Sequence, residues 1–360
     1  MKTLVQQRRR DLAACFSDAK IDALLSTNPP NWFYLTGFTG ESGALIVSRK
    51  GTTLITDGRF MVQGCEEMKG VRLVQQQGSL LGSIGQFLKD ERCRRVGFDS
   101  TQVTVEQLRS LRKAAGANVG WVATPGRVES LRMRKDAAEL AQMRRAANLA
   151  DQMVQLAIGL LKPGIREFEV AAEIEYQMKK KGASGPAFET IVAFGERSAL
   201  PHARPTSKQL RKNELVVLDL GAILGHYCSD ITRTVYVGRA PKRIRTWYQA
   251  VLEAQGAAIA AAKSGAVCMD VDGAARQVLA GYSLDGLFVH STGHGLGIEV
   301  HEDPRVARGQ KKRLAPGNVI TIEPGVYSAG IGGIRIEDDV AIHAHRTEVL
   351  TRAPRDLIEL

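Results

Sequence analysis

Residues 214–222, ELVVLDLGA, and residues 226–237, HYCSDITRTVYV, each carry an acidic residue in a stretch whose apolar and β-branched residues favour a β-strand. Asp219 interrupts the first stretch. Asp230 lies within the second, beyond a short connection that contains Gly225. Two strands joined by such a turn form an antiparallel hairpin, so the two carboxylates can face each other. Because an unpaired carboxylate in apolar surroundings is strongly unfavourable, this pair needs a partner.

Two strand-like stretches further along the chain repeat this pattern. VITIEPG places Glu323 two residues after Thr321, and IRIEDD places Arg335, Glu337 and Asp339 on one strand face, since side chains alternate with a period of two. One such carboxylate alone is typical of a hydrogen-bonded acid in a core or on a surface. Carboxylates in four strands together predict a cation among them, because like charges do not otherwise share a site.

Three of the seven histidines fall in one glycine-rich stretch, VHSTGHGLGIEVHEDPR, which contains His290, His294 and His301. This stretch is not the helical H-E-x-x-H motif of zinc proteases, because Ser291 follows His290. His202, in ALPHARP, is a further candidate and lies in a loop that two prolines stiffen.

The ligand types also indicate which metals to expect. Oxygen ligands with one imidazole suit manganese, cobalt or iron. A bridging pair of carboxylates suits two ions about 3.5–4 Å apart, which together activate water and polarise a carbonyl. We therefore expect a hydrolase with two divalent metal ions, manganese first, with cobalt, zinc and iron as alternatives.

The segments LDLGA, CSDITRT, HSTGHGLG, TIEPG and RIEDD, in this order, resemble the pita-bread metallopeptidases, which include methionine aminopeptidases, proline aminopeptidases and prolidases. The resemblance implies that Asp219 chelates the first metal and that Asp230 and Glu337 bridge both metals. His294 and Glu323 would complete the second metal. The match is strong over residues 201–340 and weak before residue 128.

Two residues separate the branches of this family. Methionine aminopeptidases generally lack the histidine and the arginine that correspond to His290 and Arg335. The resemblance therefore favours an Xaa-Pro aminopeptidase, which releases the first residue of short peptides whose second residue is proline. The alternative is an Xaa-Pro dipeptidase (prolidase). A metal-free peptide- or protein-binding module of the same fold is a more remote alternative, because five retained ligands argue against the creatinases and the non-enzymatic relatives.

The resemblance also implies catalytic roles. Glu323 would relay a proton to the leaving prolyl nitrogen. His301, with His290 and His202 as further candidates, would line the pocket and stabilise the oxyanion. Arg335 would orient a carboxylate that binds metal.

Several other residues near the predicted metal site have less specific expected roles. Arg305 could contact a substrate carboxylate or form a plain salt bridge. Cys228 is expected in the core rather than on a metal. Thr232, Thr234 and Asp339 are expected to hydrogen bond to the ligands.

The predicted fold class is α+β. Alternating helix and strand patterns, with a hairpin that turns at residues 49–51, indicate a small α/β domain over residues 1–127. By resemblance this domain is creatinase-like and serves substrate access and dimerisation. Residues 128–360 would form the pita-bread catalytic domain. It would include a long helix that ends at Pro163-Gly164 and helices in REFEVAAEIEYQMKKKG and RTWYQAVLEAQGAAIAAAKSG.

The amino-acid composition limits the binding partners and the location that we expect for this protein. The net charge is +11, but the basic residues form short runs without interleaved aromatics, which are only 6% of the chain, so we expect no nucleic-acid partner. There is no apolar run of about 20 residues and no signal-peptide core in MKTLVQQRRRDLAACF, so we expect no membrane association. Five scattered cysteines are typical of a reducing cytoplasm. The expected partners are short proline-containing peptides and, by resemblance, a second copy in a homodimer.

Overall fold

The structure, a computed structural model, describes residues 2–360. The chain separates into two compact units between Arg132 and Met133. This division lies five residues after the predicted boundary, because the helix at Arg127–Arg132 belongs to the first unit. There Arg132 Nη1 donates a hydrogen bond to Asn31 Oδ1 at 2.9 Å, and Asn31 Nδ2 donates to Glu129 Oε1 at 2.6 Å.

The N-terminal unit is a mixed six-stranded sheet with helices, in the strand order β4-β3-β2-β1-β5-β6. Its strands are β1 Ala23–Ser26, β2 Ala44–Ser48, β3 Gly51–Thr56, β4 Arg72–Gln75, β5 Arg95–Phe98 and β6 Gly120–Ala123. Its helices are α1 Lys2–Ala14, α2 Phe16–Ala19, α3 Pro29–Thr36, α4 Met61–Glu67, α5 Leu80–Asp90, α6 Val105–Ala115 and α7 Arg127–Arg132. The predicted hairpin is confirmed, since β2 and β3 pair antiparallel around residues 49–50.

The C-terminal unit covers its sheets with four helices. The helices are α8 Ala137–Leu160, α9 Glu167–Lys180, α10 Lys242–Ala261 and α11 Cys268–Gly281. The strands in its first half are β7 Gly185–Pro186, β8 Ile191–Phe194, β9 Glu214–Leu220, β10 Ala222–Leu224, β11 Tyr227–Cys228 and β12 Ile231–Val237. The later strands are β13 Gly293–Gly295, β14 Glu302–Val306, β15 Val319–Ile322, β16 Gly325–Ser328, β17 Gly332–Arg335, β18 Asp338–Ile342, β19 Thr347–Val349 and β20 Ile358–Glu359. Helix and strand together confirm the predicted α+β class.

Two halves of the C-terminal unit are built alike. Helices α8 and α9 pack on a sheet ordered β20-β12-β9-β8, and helices α10 and α11 pack on a sheet ordered β14-β13-β15-β18-β19. Between the helices of each pair, a glycine with a positive φ donates its N–H to a leucine carbonyl. Gly164 donates to Leu210 at 2.9 Å, and Gly265 donates to Leu314 at 2.8 Å. These halves bring corresponding strands, β9 and β15, to one site.

Several predicted strands are interrupted where the chain changes sheets. NVITIEPGVY is divided into β15 and β16, and IRIEDDVAI into β17 and β18. Pro324 lies in the first break, and a proline has no N–H to continue a ladder. The breaks leave Glu323 and Glu337 outside the ladders, with their side chains at the meeting point of the sheets.

Among residues 2–360, no helix combines the length and the apolar character that crossing a membrane requires.

Candidate metal centre

The two aspartates lie on one face of the β9–β12 pair. Asp219 is directly opposite Thr232 in the antiparallel register, and Asp230 precedes the strand by one residue. The carboxylates are therefore diagonal neighbours, rather than directly opposed, and close enough to interact. Both residues are buried. The backbone N–H of Asp230 donates to Asp339 Oδ2 at 3.1 Å, which fixes the start of β12.

His294 and Glu323 come from the second half of the unit. His294 is the middle residue of β13, and a Cβ on Gly293 beside it would overlap the Thr321 carbonyl oxygen of β15. Glycine thus permits the close approach of the two backbones. Thr321 Oγ1 accepts the His294 N–H at 3.1 Å and donates to Glu323 Oε1 at 3.2 Å. One hydroxyl therefore positions both side chains.

Glu337 lies in the break between β17 and β18, and a polar layer holds it. Thr232 Oγ1 donates to Glu337 Oε2 at 2.6 Å and accepts from Arg335 Nε at 3.0 Å. Arg335 Nη2 donates to Asp219 Oδ2 at 2.6 Å. Arg335, only 3% exposed, thus connects the carboxylates of the two halves.

The structure brings all five predicted metal ligands together. Donor atoms of Asp230, His294 and Glu337 lie within 4.8 Å of one another. His294 Nε2 is 3.5 Å from Glu323 Oε1 and 3.8 Å from Asp230 Oδ2. Asp219 joins the cluster through Arg335, whose Nη2 donates to Asp219 Oδ2.

Three observations indicate that this cluster is suited to bind a cation. Within the described chain, Asp219 Oδ1 and Asp230 Oδ1 are buried without a hydrogen-bond partner. Burial and the neighbouring carboxylates raise the pKa values of Asp230 and Glu337 well above the ordinary range. The third observation concerns His294: burial lowers its pKa, and its Nδ1 donates to the Gly295 carbonyl at 3.0 Å. The neutral ring therefore directs the lone pair of Nε2 at the carboxylates, as a metal ligand requires.

His290 lies beside this cluster with both ring nitrogens engaged. Nδ1 contacts the Ser291 carbonyl at 2.8 Å, so it carries the proton. Burial, with a smaller effect of the Arg335 charge, lowers the pKa of His290 to about 4, so Nε2 accepts the Tyr327 hydroxyl at 2.8 Å. Tyr327 in turn accepts from Arg335 Nη1 at 2.6 Å. His290 therefore has no ring N–H directed at a substrate oxyanion in this arrangement.

The remaining predicted residues surround the cluster from more exposed positions. His301 is exposed and lies edge-on to the His294 ring, with centroids 4.5 Å apart. His202 is exposed, and its loop is held by Arg335, which donates to the Pro201 carbonyl at 3.2 Å.

Two of the lesser candidates, Arg305 and Cys228, also have defined positions. Arg305 is exposed and lies in β14, the strand that pairs with β13, which carries His294. Within the described chain Arg305 has no carboxylate partner, so the salt-bridge interpretation finds no support. Cys228 is buried, and its Sγ donates to the Ile298 carbonyl at 3.5 Å.

The sequence interpretation missed a clamp on α11. Asp272, 1% exposed, accepts from Thr292 Oγ1 at 2.8 Å and pairs with Arg276 at 2.7 Å. Arg276 Nη2 donates to the His290 carbonyl at 2.6 Å, and the Thr292 carbonyl accepts the Glu323 N–H at 2.8 Å. The clamp thus holds the backbone beside two site residues. An aspartate four residues before an arginine was the signal that could have found it.

Comparison with known proteins assigns these residues to a family. The profile of metallopeptidase family M24 matches residues 141–344, and that of the creatinase/prolidase N-terminal domain matches residues 8–134. Over 355 residues the chain is 36% identical to an Xaa-Pro dipeptidase of Pyrococcus furiosus, which covers 98% of this chain and 100% of that protein.

Solved structures agree. The Xaa-Pro dipeptidase from Bacillus anthracis is similar with a TM-score of 0.96 and 35% identity, over 99% of this chain and 100% of that one. The X-Pro aminopeptidase from Thermotoga maritima is similar with a TM-score of 0.90 and 32% identity, over 98% of this chain and 100% of that one. The predicted pita-bread fold with a creatinase-like N-terminal domain is confirmed. The chain therefore belongs to metallopeptidase family M24.

Proposed function

We propose that this chain hydrolyses Xaa-Pro dipeptides with two divalent metal ions held by Asp219, Asp230, His294, Glu323 and Glu337. The observation that supports the proposal most is the clustering of Asp230, His294 and Glu337, with two buried carboxylate oxygens, on Asp219 and Asp230, left unpaired within the described chain. The relatives named as Xaa-Pro dipeptidases favour the dipeptidase over the aminopeptidase that was the leading sequence-based prediction. The aminopeptidase is the second candidate, because an X-Pro aminopeptidase also shares the fold at 32% identity.

The metal ions would activate water and polarise the scissile carbonyl. The chain's own residues do the positioning. Arg335 and Thr232 hold Asp219 and Glu337, and Thr321 holds Glu323 next to His294. These hydrogen bonds engage one oxygen of each of the three carboxylates.

Proton transfer and oxyanion stabilisation fall to different residues. The leaving nitrogen of a prolyl bond carries no hydrogen before cleavage and needs a proton to depart. We assign that delivery to Glu323, which faces the cluster. His301, exposed beside His294, is the donor we assign to the oxyanion, with His202 as a second candidate. His290 is assigned to positioning, because both of its ring nitrogens are engaged.

Arg305 supplies a reason to prefer dipeptides. It lies in β14, which pairs with the strand that carries His294, is exposed and, within the described chain, has no carboxylate partner. In a dipeptide the carboxylate directly follows the prolyl ring, within reach of a guanidinium that a longer peptide would leave unused. A bidentate pair with this carboxylate would select substrates by length.

The test is hydrolysis of Ala-Pro beside Ala-Pro-Ala, with manganese and with a chelator. We expect chelator-sensitive cleavage of Ala-Pro and at least tenfold slower cleavage of Ala-Pro-Ala. Arg305→Gln should raise KM for Ala-Pro at least tenfold with a smaller change in kcat, whereas the matched surface variant Arg308→Gln should change neither. Preferred cleavage of the tripeptide would establish the aminopeptidase instead, and no cleavage of either would refute both.

Manganese as the native metal, a cytoplasmic location and a homodimer stay predictions from the sequence. Metal analysis of protein purified without added metal, fractionation of the source cells and analytical ultracentrifugation test them.

A further inference from the structure

A cavity of about 830 Å³ lies in the N-terminal unit. Its walls are the end of the β2–β3 hairpin, the residues that follow α2 and the turn that follows α5. None of the residues of the metal centre lines it. Its volume lies within the range of roughly 300–1,000 Å³ that is typical of small-molecule sites.

Basic residues outnumber acidic residues in these walls by six to two. Both acidic residues are already engaged. Glu91 pairs with Arg72 at 2.9 Å, and Asp22 Oδ2 accepts the backbone N–H groups of Arg94 and Arg95 at 2.9 Å each. Within the described chain, five of the wall cations have no carboxylate partner, namely Lys20, Arg49, Lys50, Arg92 and Arg94.

Where these cations do hydrogen bond, the acceptors are neutral. Arg49 Nη2 donates to Ser17 Oγ at 2.7 Å, and Lys50 Nζ donates to the Glu91 carbonyl at 3.2 Å. Their positive charges therefore remain uncompensated inside a concave surface, where fields from several cations add.

The other part of the wall is apolar. Phe87 is half-buried and offers its ring to the cavity, whereas Phe16 and Ile46, each 1% exposed, lie behind the wall. A simple inorganic anion would use the cations and leave this surface unused. A ligand that joins an anionic group to an aromatic or apolar body would use both.

Two of the cations hold unusual backbone positions. Lys20 ends α2 with φ of 51°, and Arg92 follows α5 with φ of 55°. Glycine is the usual residue at such a left-handed helix end, because it carries no Cβ. The chain instead places a long basic side chain at both positions, and both side chains line this cavity.

We propose that this cavity binds an organic phosphate, a small molecule in which a phosphate monoester is joined to an aromatic or apolar group. The phosphate carries close to two negative charges at neutral pH and accepts bidentate hydrogen bonds from guanidinium groups. Arg49 and Arg92 are the residues we assign to the phosphate, and Phe87 to the apolar body. The site is separate from peptide hydrolysis and does not rest on the proposed activity.

The test is isothermal titration of the metal-loaded full chain with AMP, adenosine and inorganic phosphate. A monophosphate is chosen because it chelates metal weakly, and metal content is measured after each titration. We expect one AMP site per chain, with adenosine and phosphate each binding at least tenfold more weakly. Absence of AMP binding, or adenosine binding as tight as that of AMP, would overturn the proposal. Phosphate binding as tight as that of AMP would overturn the part played by the apolar wall.

Paired variants locate the site. Arg49→Gln together with Arg92→Gln should weaken AMP binding at least tenfold. The control, Arg109→Gln together with Arg112→Gln, removes two exposed charges of the same unit outside the cavity and should leave binding unchanged. Equal losses in the two double variants would show diffuse attraction to a basic surface and refute a site. Heats of binding do not depend on peptide hydrolysis, so a chain without peptidase activity still passes or fails this test.

Discussion

Replacement of Arg276 by methionine removes the clamp between α11 and the backbone beside the metal centre. The change keeps an unbranched side chain of similar length and deletes the guanidinium. Four contacts are lost: the ion pair with Asp272 at 2.7 Å, the hydrogen bonds to the carbonyls of Phe288 at 3.2 Å and His290 at 2.6 Å, and the stacking of the guanidinium 4.3 Å from the Phe288 ring centroid.

The magnitude follows from burial. The side chain of Asp272 is 1% exposed and that of Arg276 is 14% exposed, so the pair is buried. Removing one partner of a buried pair costs about 3–5 kcal/mol, chiefly because a charge is left without compensation. Asp272 would still accept from the N–H and the hydroxyl of Thr292, so we expect the lower end, about 3 kcal/mol, for Arg276→Met.

The effect on activity follows from the same contacts. Without the clamp, the segment from His290 to Thr292 loses its anchor, and the Thr292 carbonyl positions the Glu323 backbone. A displacement of about 1 Å in a catalytic group costs about 100-fold in rate, so we expect kcat to fall by about that factor. Metal content should stay unchanged, because no predicted metal ligand is removed.

The assay is urea unfolding together with steady-state hydrolysis of Ala-Pro. Asp272→Asn alone should also destabilise, but the double variant with Arg276→Met should cost clearly less than the sum of the two, because neither charge is then orphaned. Arg109→Met, which removes an exposed helical ion pair, is the control and should cost less than about 1 kcal/mol. Additive losses in the double variant, or an unchanged kcat in Arg276→Met, would refute the clamp.

Four further predictions concern the centre and its support. Asp230→Ala should lose metal and hydrolysis together, measured by elemental analysis and turnover; retention of the full metal content would remove Asp230 from the ligand set. His301→Ala should keep its bound metal but lose most turnover. Loss of metal from this variant would contradict the assignment of His301 as the donor to the oxyanion. In chelator-stripped protein, burial raises the pKa of Glu323 from 4.5 to about 7. The stability that its protonated form supplies is present below pH 4.5 and lost as pH rises through 7, whereas metal-loaded protein should show no such fall in its urea midpoint. The Arg144 hydrogen bond lowers the pKa of Glu348 to about 2, so the stability from this pair is present above pH 4.5 and lost as pH falls towards 2. Glu348→Gln should remove this loss of stability at acid pH, which amounts to less than about 1 kcal/mol. An unchanged pH dependence of the free energy of unfolding below pH 4.5 would contradict the pairing.

Most residues of the metal centre could be predicted from the sequence, because a carboxylate inside an apolar strand needs a cation or another partner. Asp219 in VVLDLGA is such a case, and the hairpin geometry placed it near Asp230 on one face. Period-two alternation also grouped Glu323 with Thr321, and the structure joins them by a 3.2 Å hydrogen bond. Local pattern was sufficient here because neighbouring strands bring these residues together without any long connection.

Helix α11 was missed because its composition hides its periodicity. Asp270, Asp272 and Gly273 are weak helix formers in its first turns. A helical stripe is nevertheless present, since Val271 and Leu279 are fully buried with Ala275 between them at four-residue spacing. Tertiary packing, rather than propensity, decides this helix.

The role of His290 also lay beyond the sequence. The family resemblance made His290 a further candidate for donating to the oxyanion. The orientation of its ring depends on Tyr327 and on a backbone carbonyl, and neither contact has a sequence signature. The hydrogen-bond partners of a histidine, set by the fold, decide which of its nitrogens is available.

The most direct test of the two-metal account is metal stoichiometry measured on the same samples as Ala-Pro hydrolysis. Wild-type protein and Glu337→Gln would be stripped with chelator, titrated with manganese, and analysed for bound metal and turnover at each point. We predict two ions per wild-type chain, activity that rises with occupancy, and a variant that binds at most one ion and is inactive. Full hydrolysis by stripped wild-type protein, or two ions bound by the variant with unchanged turnover, would contradict the account.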